Sequence, residues 1–174
     1  MTRTTTALLV LLAGVSPLTN AADPGQPVIS EIVIDAPAAA IWNAWTRETE
    51  IEAWMAPSSE LELKVGGNWR SSYDEASTLD DDSVIHNEIL AFDPERMLAL
   101  RTVKPPADFP FPDAILDTWS VLYIQPIDAG RTHVVLRMFG FGSDEESQAM
   151  REFFEWGNQY ELDKLKEYLD STDH

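Results

Sequence analysis

Residues 145–170, EESQAMREFFEWGNQYELDKLKEYLD, decide the fold. Met150, Phe153, Phe154, Trp156, Tyr160, Leu162, Leu165 and Leu169 recur at helical spacing, and Ser143 or Asp144 stands where a cap would start the helix. One helix with that much apolar surface does not stand alone in water, so it must lie against whatever precedes it. What precedes it is a run of strand-like segments. The order predicts an α+β fold in which an antiparallel sheet of about seven strands wraps a long closing helix, with room for a pocket between the two.

Working back from that helix, residues 131–141 and 115–125 read as strands joined across a Pro126/Gly130 turn. Residues 104–113 (KPPADFPFPD) hold four prolines and break regular structure. Residues 83–92 and 96–103 form a hairpin around Asp93-Pro94, and residues 74–83 (DEASTLDDDS) an acidic turn. Leu61, Leu63 and Val65 alternate with charged residues as a half-buried strand does, and Gly66-Gly67 reverses the chain into a strand over 68–73. Residues 28–34 (VISEIVI) are the first strand. Pro37 opens a helix carrying Ile41, Trp42 and Trp45, and a second helical turn covers 48–55.

The first 21 residues read as a signal peptide. Arg3 supplies the positive start, residues 7–15 (ALLVLLAGV) an apolar run too short to span a bilayer, and Thr19-Asn20-Ala21 a small-residue cut. Residues 22–27 then form a tether, 28–170 one domain and 171–174 a tail. The expected compartment is the periplasm or the exterior, with no membrane insertion after cleavage. The absence of cysteine means that packing, not disulfides, supplies the stability. With 30 acidic against 12 basic side chains the net charge is −18, and −19 once Arg3 is removed. Such a chain repels phosphate backbones and anionic headgroups, so nucleic acid is not an expected partner.

On the closing helix, Asn158 and Glu161 fall on the same half as Met150, Phe154, Gly157, Leu165 and Leu169 and interrupt an otherwise apolar face. Left unpaired in the interior each would cost about 1–3 kcal/mol, so each needs a strand partner, water or a ligand. His86 and Glu88 lie two apart on one strand face beside Arg101, the only acid/base constellation in the chain. Period two does not say whether that face is inside. The three histidines are dispersed, and Asp80-Asp81-Asp82 lacks the ligand spacing of a calcium loop, so neither a metal nor a cofactor is expected. Trp119, Val121 and Tyr123 alternate with Leu122 and Ile124, which makes both faces of that strand apolar. The face turned from the helix needs a cover, either the Pro-rich loop or a second copy in a homodimer.

Ala36-Pro37 to Ile41-Trp42, Gly66-Gly67-Asn68-Trp69-Arg70, the Asp93-Pro94 turn, Gly130-Arg131-Thr132 and the closing helix with Leu162 and Leu165 together resemble the SRPBCC superfamily. This is the helix-grip fold of START and pollen-allergen domains. The chain is most similar to the branch named for the C-terminal domain of the activator of the heat-shock-protein-90 ATPase, over residues 28–170. The resemblance implies a domain that holds a small apolar molecule. Asn158, Glu161 and Arg101 would read its polar end, and Phe154, Trp69, Phe109 and Phe111 would supply apolar wall. It also leaves open a cyclase-, dehydratase- or isomerase-like enzyme with His86 or Glu88 as base, and an interaction module without ligand. Where the branch carries Gly-Trp in the last helix this chain has Gly157-Asn158, as in an exported subgroup. An amide thus stands in place of a bulky plug.

Overall fold

The computed structural model describes residues 25–172; the signal-like segment 1–21 and the first residues of the tether lie outside them. Strand β1 (Val28–Ile34) leads into helices α1 (Ala38–Thr46) and α2 (Glu48–Trp54). Strands β2 (Ser58–Leu61), β3 (Asn68–Ser72), β4 (Ile85–Asp93) and β5 (Met97–Lys104) follow, then a 3-10 turn (Ala114–Asp117), β6 (Trp119–Asp128), β7 (Arg131–Phe139) and helix α3 (Glu145–Asp170). The strands form one antiparallel sheet in the order β1-β7-β6-β5-β4-β3-β2. Only β1 leaves the sequential order, crossing by way of the two short helices while the last strand returns to pair with it. This is the expected helix-grip α+β fold.

Helix α3 begins where its chemistry dictates. The Asp144 carboxylate accepts a hydrogen bond from the Ser147 amide at 2.9 Å, and Glu145 and Glu146 occupy the first turn, where the helix dipole favours negative charge. Arg151, buried on the same helix, donates to the Gln26 carbonyl at 2.5 Å and so ties the segment before β1 to α3. At the far end the Tyr168 hydroxyl donates to Glu50 at 2.6 Å, closing α2 onto α3. Of the apolar residues that predicted this packing, Met150, Leu162, Leu165 and Leu169 are buried, while Phe153, Trp156 and Tyr160 are exposed on the outward side.

Two apolar clusters lie between sheet and helix. The larger joins Leu162, Leu165 and Leu169 to Ile41, Trp45, Ile89, Leu98, Leu122 and Val134. The smaller joins Met150 to Val28, Ile115, Met138 and Phe141, with Phe109, Phe111 and Phe154 packed around it. Helix α3 is therefore apolar toward the sheet at both ends. Its middle turn carries Asn158 and Glu161.

Two strands are displaced most from the sequence expectation. The strand expected over 61–65 lies at Ser58–Leu61, and Val65 is 68% exposed. Residues 62–67 form a turn instead: the Gly66 amide bonds to the Ile89 carbonyl at 2.8 Å, and the Ile89 amide to the Gly67 carbonyl at 2.9 Å. Both glycines are required, Gly66 for its φ of +78° and Gly67 because a Cβ would meet the Glu62 carbonyl oxygen at 2.0 Å. Strand β6 starts at Trp119 rather than at 115, because residues 114–117 coil into a 3-10 turn that Thr118 closes by bonding to the Ile115 carbonyl at 2.7 Å.

Candidate functional site

The middle turn of α3 faces a pocket in the grip of the sheet, with a cavity volume of about 130 Å³. An engineered cavity of about 150 Å³ holds one benzene-sized ring, so the space suits a molecule of that scale. The sheet contributes alternate residues of its concave face, among them Trp69 and Ser71 from β3, Asn87 from β4 and Leu98 and Thr102 from β5. Helix α3 contributes Phe154, Asn158 and Glu161, one turn apart from each other. The Pro-rich segment reaches the pocket through Pro105, Pro106 and Phe109.

Two buried donors on the sheet side are paired. The Thr102 hydroxyl donates to Asn87 Oδ1 at 2.9 Å, and Trp69 Nε1 donates to Ser59 Oγ at 3.0 Å. On the opposite side two donors are not. Asn158 is 5% exposed and its Nδ2 has no hydrogen-bond partner; Trp45 is 4% exposed and its Nε1 has none either. Trp45 packs edge-to-face against Trp54 and Trp69, with centroids 5.6 and 6.1 Å away, so its N–H has π faces nearby as weak acceptors.

Glu161 makes no hydrogen bond or ion pair among the described residues. Burial in the mostly apolar pocket pushes its carboxyl up to about 7 from an ordinary 4.5. It is half-buried and lines the pocket. Tyr73, just past the end of β3, lines the same space. Tyr73 is 59% exposed, and burial of its phenol first and the Glu161 charge second push its pKa up.

The structure brings Asn158, Glu161, Phe154, Trp69 and Phe109 together around the pocket. Phe111 stands behind them, packed on Phe109 and Phe153 with centroids 5.8 and 5.9 Å away. The His86/Glu88 pair is a correction. Ile85 and Asn87 line the pocket, so the alternating His86 and Glu88 point to the outer face of the sheet. There Arg101 donates to Glu88 through Nε at 2.9 Å and Nη2 at 2.7 Å. Arg101 borders the pocket, but its guanidinium is engaged outside it. His86 sits between Arg70 and Lys104 in the sheet, and its pKa is lowered by partial burial first and by those two charges after.

Sequence reasoning passed over Tyr73, Asn87 and Thr102 as pocket residues. Alternation from Trp69 through Ser71 to Tyr73 carried the signal for the first. For the other two, the face of β4 had to be known. No three His, Cys, Asp or Glu residues among those described are arranged to hold a metal, and no described helix is long and apolar enough to cross a membrane.

A seven-stranded antiparallel sheet gripping one long C-terminal helix over such a pocket defines the helix-grip class. The family model described as Activator of Hsp90 ATPase homolog 1-like protein matches residues 35–170, and the chain belongs to that family. Solved structures share the fold. The protein MLL2253 from Mesorhizobium loti is 24% identical, with a TM-score of 0.68 over 86% of this chain and 100% of its own. CalU16 from Micromonospora echinospora is 20% identical, with a TM-score of 0.61 over 84% of this chain and 75% of its own. The Aha1 protein from Colwellia psychrerythraea, solved as a dimer in solution, is 13% identical, with a TM-score of 0.62 over 85% of this chain and 98% of its own. No curated protein matches the chain.

Proposed function

We propose that this protein is an exported binding domain for a small, mainly apolar molecule held between the sheet and α3. The family supports a ligand-binding type of domain. The observation that carries the reading is the unbonded, buried Asn158 Nδ2 on an apolar pocket large enough for one ring. A buried amide donor without a partner costs about 1–3 kcal/mol, and a ligand or water that bonds it removes that cost. The test is uptake of the uncharged dye N-phenyl-1-naphthylamine. Its fluorescence should rise with the wild type and rise much less with Asn158→Trp, whose indole fills the space; equal uptake by a folded Asn158→Trp variant refutes the reading. Export rests on the signal-like residues 1–21, and the intact mass of secreted protein checks it: the chain should begin at Ala22.

Self-association is a second reading, favoured by the outer face of the sheet. Trp119 is 42% exposed and stacks on Phe139 with centroids 5.4 Å apart; Val121 and Tyr123 continue the same face, and Ile29 and Val33 of β1 extend it. Phe109 and Phe111 of the Pro-rich loop pack on Phe153 and Phe154 of α3 rather than on this face, although Trp119 also borders the pocket that the loop reaches. The occupant proposed is a second copy, as in the dimeric Colwellia relative. Sedimentation should show a wild-type dimer and a monomeric Trp119→Ser/Tyr123→Ser variant. A monomeric wild type removes the interface.

A further inference from the structure

We infer that the Asn158–Glu161 turn of α3 reads a hydroxyl group borne on a ring, so that the ligand is an uncharged phenol or enol of about one ring in size. This rests on the ligand-binding reading above and adds the chemistry of the ligand's polar atom. Asn158 offers an unbonded N–H donor, and Glu161, one turn further on, offers carboxyl oxygens that no described residue engages. Side chains three apart on a helix have Cβ atoms about 5–6 Å apart. The two side chains are therefore neighbours, close enough for one ligand oxygen to bond both.

Above about pH 7, where Glu161 is ionised, the two groups ask opposite things of one atom. It must accept from the Asn158 amide and donate to the Glu161 carboxylate, and a hydroxyl does both. A ketone oxygen satisfies Asn158 alone and leaves the carboxylate unpaired. A ligand carboxylate meets a like charge in a pocket with little water, which is costly. The remaining lining is mostly apolar, and the cavity of about 130 Å³ matches a ring body. Water is the competitor for the same two bonds, since it also donates and accepts. Only a hydroxyl on a ring fills the apolar space at the same time.

The titratable groups that face the turn are few. Tyr73 comes from the end of β3 and Arg101 from β5, the latter held by Glu88; no other residue lining the pocket ionises in the accessible range. The carboxylate form of Glu161 is the better acceptor, so affinity for a hydroxyl should rise with pH through about 7. It should fall again only where a phenol itself ionises, near pH 10.

Phenol, toluene and benzoate, titrated calorimetrically into the full mature chain at pH 6 and 8, test this. Wild type at pH 8 should bind phenol about tenfold more tightly than toluene, in line with one charge-assisted hydrogen bond, and bind phenol more weakly at pH 6. Benzoate should not bind at pH 8. Glu161→Gln should lose most of the phenol preference and its pH dependence, with an unchanged circular-dichroism spectrum showing that the variant is folded. Equal binding of phenol and toluene by the wild type, with water alone filling the site, overturns the inference and leaves the apolar pocket standing. So does a Glu161→Gln variant that keeps the phenol preference. Binding of neither ring refutes the pocket reading and this inference together.

Discussion

Replacing Glu161 by Gln should stabilise the protein above neutral pH and leave it unchanged in acid. Burial raises the carboxyl from 4.5 to about 7 in the folded chain. Between those two values the folded chain holds a proton that the unfolded chain has released, so stability falls as pH rises. At about 1.4 kcal/mol for each pH unit the loss approaches 3 kcal/mol by pH 7; the partial exposure of the side chain reduces it, and roughly 2 kcal/mol is the working figure. Gln cannot ionise and is spared that loss. Urea unfolding of both proteins at pH 4.5 and pH 8 measures it: the midpoints should coincide at the lower pH, and the variant should be more stable by roughly 2 kcal/mol at the higher. Acid and alkaline effects of the −18 net charge act on both chains almost alike and cancel in the difference. A gap of the same size at both pH values, or a variant less stable at pH 8, refutes the assignment of Glu161 to an unpaired site in the pocket.

Gly67→Ala should lower stability by about 1–3 kcal/mol, since its Cβ would meet the Glu62 carbonyl oxygen at 2.0 Å and pull the turn from β4; thermal unfolding reads the loss. Leu165→Ala, fully buried in the larger cluster, should cost about 2–5 kcal/mol. Val65→Ser should change stability by less than about 0.5 kcal/mol, because that side chain lies on the exposed turn and not in a strand; a cost near that of Leu165→Ala in the same unfolding experiment would restore the longer strand.

Helix α3 was legible because its signals agree. A capping Asp144, acidic first-turn residues and a leucine stripe at Leu162, Leu165 and Leu169 all require the same start and the same buried face. The strand at 58–61 was not, and the reason is physical. Leu61, Leu63 and Val65 keep a strand's alternation, but a strand is made by its partner, and on that edge of β3 the ladder covers only residues 58–61. Beyond Leu61 the chain is drawn instead to the bulge of β4, where the register shifts between Ile89 and Ala91 and Gly66 and Gly67 bond to Ile89. That competition between two partners is tertiary, and no local pattern reports it.

The same distinction separates the two sets of site residues. Asn158 and Glu161 could be placed on the pocket side because a helical face is anchored by the large side chains above and below it, and α3 has Met150 and Phe154 on one side and Leu162, Leu165 and Leu169 on the other. His86 and Glu88 had no anchor of that kind. Their strand carries Ile85, Ile89 and Leu90 among polar residues, and it bulges twice, so alternation alone fits either assignment of faces. What settles it is the partner across the sheet: Arg101 of β5, directly opposite Glu88, takes the carboxylate outside the pocket. The acid left for the pocket is Glu161, whose helix neighbour Lys164, three residues on, pairs with Glu167 instead. It is the one carboxyl among the described residues whose value burial alone moves to neutrality, on the same turn as an amide that has nothing to bond.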